Sequence, residues 1–225
     1  MKRAARATVD GGVDHEAVAA RARELGVLGW VRPTGEIHAE GDPAAVQTLL
    51  EEFGAAAEKA RVEGHEQFGI RGVSAGVFVV QEHQATAHHY DFRLEVDGVM
   101  KSWAVPKGPS LDPAVKRFAV QVDDHGMAHN DYEGERVIIW DRGTYEQGGR
   151  VAWPEAIERG HAVFVLHGEK LHGGFALQRT GGGAKPQWLL IKRKDDEARP
   201  GTDITAERPE SVVSGRRLAL RDPAP

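Results

Sequence analysis

Two segments near the start of the chain carry apolar residues at helical spacing, 13–26 and 42–54, with strand-like runs on either side. The first helix is expected to begin after Asp14 as N-cap and to stop at Gly26. The second is expected to begin with Asp42 as cap and Pro43 at its first position, and to stop at Gly54. Residues 3–9 read as a short strand, residues 27–41 as two strands around Pro33-Thr34-Gly35, and residues 60–70 as a last strand. The order βαββαβ predicts a ferredoxin-like α+β module over 1–75.

The pattern changes at about Gly76. Eight strand-like runs follow, at 77–83, 88–96, 99–106, 117–124, 136–146, 161–171, 174–180 and 187–194, bounded by Gly, Pro and Asp. Asp97-Gly98 is a strong hairpin signal and His172-Gly173-Gly174 a weaker one; only 153–160 reads as helical. Eight short strands with tight turns predict a mainly antiparallel β-barrel domain over 76–195. Residues 196–225 are rich in Pro, Arg, Asp and Glu, lack periodicity, and are expected to form a flexible tail or linker, with a short docking motif around 211–218 as the alternative.

Composition narrows the chemistry. Cysteine is absent, which excludes disulfides and thiolate ligands; a bound metal must use His, Asp or Glu, donors that suit Mn²⁺, Fe²⁺ or Zn²⁺. The basic N-terminus lacks an apolar core, and no apolar run reaches the roughly 18 residues of a membrane span. A cytoplasmic protein with no membrane contact is expected. A net charge of −5 argues against coating DNA through charge alone. The charge is uneven, however: residues 167–194 hold six Lys/Arg against Glu169, which is either a local basic surface or an ordinary solvated face.

The densest chemistry lies at 83–95. On a strand over 88–96, His89, Asp91, Arg93 and Glu95 share one face, and Tyr90, Phe92 and Leu94 lie on the other. Four ionisable residues on a barrel's inner or cleft-lining face are costly unless something pairs them. His83, across a short Gln-Ala-Thr-Ala connection, can fold back toward His89. Two His and one Asp then offer three metal ligands with open positions, and Arg93 stands ready for a phosphate oxygen. Spacing alone equally admits a surface strand with a salt bridge. His125 ends another strand, Lys107 sits in a Pro/Gly-fixed turn, and Arg117 begins the strand after it; each is a candidate phosphate contact or a plain surface residue.

Two resemblances follow from these residues. Residues 26–53 resemble the middle of acylphosphatases, but the loop after strand one holds Asp10, Asp14 and Glu16 and no arginine, and Pro33 stands where that family has its asparagine. The resemblance implies a retained fold without that activity. Residues 78–125, then 137–146, 164–177 and 188–196, are similar to the 3′-phosphoesterase domain of bacterial ligase D, the multifunctional enzyme of non-homologous end joining; about 77–218 is covered, the tail being similar to that enzyme's linker. The resemblance implies a Mn²⁺-type ion on His83, His89 and Asp91. It also implies catalytic roles for Arg93 and His125, and phosphate contacts from Lys107 and Arg117. The implied reaction removes a 3′-terminal ribonucleoside and then the remaining 3′-phosphate, leaving a 3′-OH on nucleic-acid ends. Two departures fall on one side of the site: His129 takes the place of a functional tyrosine, as a candidate substrate contact, and a loop near Gly134 is missing.

Besides this enzyme, expected to be nucleoid-associated and to work with a separate ligase, polymerase or end-binding protein, the sequence admits two other readings. One is a catalytically weakened DNA-end-binding module. The other is a non-haem iron oxygenase, which also uses two His and one carboxylate.

Overall fold

The computed structural model describes residues 3–219. The chain divides into two compact units, Met1–Val73 with Glu146–Ala152, and Ser74–Tyr145 with Trp153–Pro225.

The first unit contains β1 (Arg3–Thr8), α1 (His15–Glu24), β2 (Leu28–Val31), β3 (Glu36–Gly41), α2 (Pro43–Glu52), β4 (Ala56–Ala60) and β5 (Phe68–Ile70). Both helix starts use the expected caps: Asp14 accepts the Ala17 N–H at 3.0 Å, and Asp42 accepts those of Ala44 and Ala45 at 3.0 and 3.2 Å. The sheet order is β4-β1-β3-β2-β5, the ferredoxin-like arrangement with a short fifth strand added parallel to β2. Val18, Ala22, Val46 and Leu49 of the helices bury against Ala5, Val31, Ile37 and Ala39 of the strands. By strand alternation, His38 and Glu40 of the central β3 turn to the opposite face.

The single strand expected over 60–70 is corrected. β4 ends at Ala60 and β5 starts at Phe68. Between them, the backbone N–H groups of Glu63, Gly64 and His65 all donate to the Glu40 carboxylate, at 3.0–3.3 Å, so they are not available to a strand ladder.

The second unit is a closed eight-stranded barrel, in the order β10-β11-β12-β13-β9-β8-β7-β6. Its strands are β6 (Gly76–Gln84), β7 (His88–Val96), β8 (Val99–Val105), β9 (Lys116–His125), β10 (Val137–Gln147), β11 (His161–Gly168), β12 (His172–Gly181) and β13 (Gln187–Lys192), with a one-turn helix α3 (Glu155–Glu158) before β11. The β7–β8 turn is Asp97-Gly98, both at positive φ (+52° and +77°), as a tight hairpin requires. Aromatic rings fill the interior. Phe92 of β7 packs against Trp103 of β8 and, at 5.8 Å between centroids, against Phe164 of β11, a strand that is not its neighbour in the wall.

That contact fixes which face of β7 points inward, and selects the cleft-lining placement of the polar face over the inner one. Tyr90, Phe92 and Leu94 face the interior, so His89, Asp91 and Arg93 lie on the outer face of the wall. The polar residues avoid the interior because the aromatic side chains already fill it.

The expectation of a flexible tail is also corrected for residues 196–219. Helix α4 (Ile204–Glu207) is capped by Asp203, and Ile204, Ser211 and Leu218 are buried. Trp140 Nε1 and Lys170 Nζ donate to the Arg208 carbonyl at 2.8 and 2.7 Å, Lys170 also donates to the Glu210 carbonyl, and the Val212 N–H donates to the Ile139 carbonyl at 3.0 Å. Residues 220–225 lie outside the described residues. The basic stretch at 167–194 is only partly a surface: Lys170 and Lys192 are buried, the latter against Asp195. Among the described residues, no helix is long and apolar enough to cross a membrane.

Candidate metal centre and cleft

The β6–β7 pairing register assembles the site. His83 lies directly opposite His89, Gln81 opposite Asp91, and Val79 opposite Arg93. Opposed residues on one sheet face lie within reach of each other, and the two imidazole rings meet at 5.1 Å between centroids. Asp91 lies one pleat along from His89 and diagonal to His83. One carboxylate oxygen is 3.5 Å from His89 Nε2 and the other is 3.6 Å from His83 Nδ1. One ligand atom from each of the three residues can be chosen so that all lie within 4.8 Å of one another.

The donor set suits a cation. His89 Nδ1 is 2.9 Å from the Ala87 carbonyl, which can only accept, so Nδ1 carries a proton. In the neutral ring Nε2 is then a bare lone pair facing a carboxylate oxygen, an arrangement that calls for a proton or a metal ion between them. Without metal a proton serves: the hydrogen bond to Asp91 raises the His89 pKa despite burial. Burial lowers the His83 pKa, outweighing the attraction of Asp91. Burial pushes Asp91 up, but the hydrogen bond with His89 and the charge of Arg93 hold it below the usual carboxylate value.

Arg93 is buried on the same face. Its Nη2 is 3.2 Å from Asp91 Oδ2 and its Nη1 donates to Ser102 Oγ at 3.0 Å, while Nε is buried without a partner. The guanidinium is thus held firmly with donor capacity left over. Glu95, the fourth residue of the expected polar face, takes no part; its carboxylate accepts the Val77 N–H at 3.0 Å.

His83, Asp91 and Arg93 line a cleft of about 980 Å³ together with Gln81, His125 and His129. His125, at the end of β9, has a buried Nδ1 with no partner; burial and the charge of Arg93 lower its pKa, which favours the neutral ring. His129 sits on a 3₁₀ turn over Met127–Asp131, its ring edge-on to that of His125 at 5.6 Å. The structure therefore brings together His83, His89, Asp91, Arg93, His125 and His129. Lys107 and Arg117 are not among the cleft-lining residues. Lys107 is exposed in the turn after β8, and Arg117 lies eight residues up β9 from His125, roughly 26 Å of extended chain, on the face shared with the buried Ala119.

Three cleft features escape sequence reasoning. Gln81 Nε2 donates to the carbonyls of His129 and Tyr132 at 2.9 and 3.0 Å, fastening the turn that carries His129. Ser102 holds Arg93. Lys185 lines the cleft from the β12–β13 connection and is the one lysine of the 167–194 basic stretch to do so. Only the strand alternation around Gln81, which puts it on the face of His83, gives any advance signal.

Residues 81–179 match the model of the DNA ligase D 3′-phosphoesterase domain. The chain is 50% identical over 156 residues to the multifunctional non-homologous end joining protein LigD of Pseudomonas aeruginosa, covering 64% of this chain and 18% of that protein. It is 38% identical over 129 residues to the multifunctional non-homologous end joining DNA repair protein LigD of Mycobacterium tuberculosis, covering 53% and 16%. The matches thus span less than a fifth of either relative. Among solved structures, an acylphosphatase from Coxiella burnetii aligns with 31% of this chain and 93% of its own, at 25% identity and a TM-score of 0.30. Residues 81–179, which include His83, His89 and Asp91, are thus similar to the DNA ligase D 3′-phosphoesterase domain family.

Proposed function

We propose that the barrel is a divalent-metal-dependent phosphoesterase that heals DNA or RNA 3′ ends, removing a 3′-terminal ribonucleoside and then a 3′-phosphate to leave a 3′-OH, in bacterial-type non-homologous end joining. The observation that carries this reading is the convergence of His83, His89 and Asp91 beside a firmly held Arg93 on a cleft wall. His83, His89 and Asp91 would hold the ion, of Mn²⁺ type. When bound, it supplies Lewis-acid neutralisation of phosphate charge. Arg93 orients a non-bridging phosphate oxygen through its spare donors and offsets charge in the transition state. His125, neutral at physiological pH, donates a ring N–H to the phosphate or to the leaving oxygen. His129 contacts the terminal phosphate from the opposite side. Lys107 and Arg117, outside the cleft, would serve only a longer nucleic-acid track. A separate ligase, polymerase or end-binding protein would then use the product.

The decisive experiment incubates the protein with a labelled primer-template ending in one ribonucleotide, with and without Mn²⁺, and resolves 3′-phosphate from 3′-OH products. Metal-dependent appearance of the phosphate, then the hydroxyl, is expected. Tight end binding with no product across divalent metals would overturn the catalytic reading in favour of a binding module. Turnover only with Fe²⁺ and a 2-oxo acid would replace it with an oxygenase.

A further inference from the structure

The first unit holds a second histidine–carboxylate group that the barrel's chemistry does not use. His38 and Glu40 point from β3 to the face away from the helices, and the 61–67 loop folds over them, bringing Glu63 and His65. His38, Glu40 and His65 are all at most 4% exposed. The sequence presents the group as two mirrored pairs, His38-x-Glu40 and Glu63-x-His65.

Hydrogen bonding alone accounts poorly for this arrangement. Glu40 Oε1 is approached by four nitrogens: the backbone N–H groups of Glu63 (3.3 Å) and His65 (3.2 Å), His38 Nε2 (3.3 Å) and His65 Nε2 (3.7 Å). That is more than one carboxylate oxygen's lone pairs can serve. His65 Nε2 in turn faces two carboxylates, with Glu63 Oε2 at 3.1 Å. The imidazole–carboxylate distances exceed the roughly 2.7–2.9 Å of charge-assisted hydrogen bonds. They scatter, at 3.1–3.7 Å, around the donor–donor edges of a tetrahedral site, where metal–ligand bonds of about 2.0–2.2 Å put neighbouring donors about 3.3–3.6 Å apart. One ligand atom each from His38, Glu40 and His65 can be chosen so that all lie within 4.8 Å of one another, and Glu63 adjoins this trio through His65. The other oxygen of Glu63 is held by Arg6 at 3.2 Å, and the other oxygen of Glu40 by the Gly64 N–H at 3.0 Å, the supporting bonds that orient ligating carboxylates.

We propose that His38, Glu40 and His65 bind one divalent ion of zinc type, with the half-exposed Glu63 turning in beside His65 as the fourth donor, in a closed, structural site that pins the 61–67 loop to the central strand. Two imidazoles and two carboxylates neutralise the ion and fill four positions, leaving none for a substrate.

The test uses the full chain with the barrel cluster disabled by His83→Ala and Asp91→Ala, stripped of metal and titrated with Zn²⁺ against a competing chelator dye. Parallel Co²⁺ titrations report four-coordinate geometry by visible absorption. One tight equivalent and a four-coordinate cobalt spectrum are expected, and adding His38→Gln should remove both. No tight equivalent in the disabled chain overturns the proposal, as does an equivalent that survives His38→Gln. Because His38→Gln is a buried change, Glu63→Gln at a half-exposed position provides a second check. It should weaken zinc binding about 10- to 100-fold, and unchanged affinity overturns the assignment. Failure of the barrel to cleave nucleic acid leaves this result untouched.

Discussion

The two histidine–carboxylate groups are built from nearly the same parts and differ in access. His38, Glu40 and His65 are sealed, with the Glu40 carboxylate tied to three backbone amides of the loop above it. His83 and His89 are partly exposed, and Asp91 is tied to an arginine on a cleft wall. Donor chemistry alone does not separate a structural ion from a catalytic one. What separates them is whether backbone or open space fills the remaining positions, since structural sites close and catalytic sites keep a place for water and substrate.

The largest expected effect is at the open group. Asp91→Asn keeps the shape but removes the charge that faces both imidazoles, and should lower metal-dependent 3′-end cleavage by about 10³-fold or more, read from single-turnover product formation. Activity within tenfold of wild type would mean that Asp91 is not a ligand, and the distinction between the groups would collapse. Arg93→Lys comes next, at about 10²-fold in turnover. Lysine keeps the charge but, with all its donors on one nitrogen, cannot span Ser102 and Asp91 as the two Nη atoms of Arg93 do while aiming a planar fork at a phosphate. The loss should fall on kcat more than on KM; the reverse pattern would make Arg93 a ground-state binding group.

A stability readout sharpens the contrast from the closed side. With the barrel group disabled by His83→Ala and Asp91→Ala, zinc at about 100 times its dissociation constant should stabilise the chain by about 2.7 kcal/mol, seen as a rise in Tm. The rise should vanish when His38→Gln is added. A rise that persists there would place the stabilising ion outside the closed group.

Much of this was open to sequence reasoning, for identifiable reasons. Asp14, Asp42, Pro43 and Asp97-Gly98 act through neighbours in the chain, so caps and hairpin could be placed residue by residue. The same holds for His83, His89 and Asp91, joined by one hairpin. The closed group was not legible, because Glu63 and His65 meet Glu40 across 23 and 25 residues through a loop that reads as strand. The 196–219 segment hid for another reason: its anchors include the carbonyls of Arg208 and Glu210, which any residue supplies. Lys107 and Arg117 rested on family resemblance, and no local periodicity tied them to the cleft.

The cleft also holds His125 and His129, the latter standing where the sequence resemblance implies a tyrosine, and smaller effects are expected there. His129→Ala should slow removal of the 3′-phosphate about tenfold and ribonucleoside removal less, measured as separate single-turnover rates on phosphate-ended and ribonucleotide-ended primers. Equal losses would make His129 a general contact with no preference for the terminal phosphate.

The smallest effect sharpens the same point from beneath. Gln81 contributes no charge and no ligand, yet its amide nitrogen bonds the carbonyls of both His129 and Tyr132. Two neutral hydrogen bonds are worth about 1–3 kcal/mol together. Gln81→Ala should therefore loosen the 127–132 turn, visible as faster amide exchange there, while metal affinity at His83, His89 and Asp91 stays within a few-fold of wild type. Phosphate removal should fall a few-fold, in proportion to the loosened turn. If metal affinity falls as far as turnover does, Gln81 acts on Asp91, its partner across the β6–β7 ladder, and the two halves of the cleft are one coupled unit.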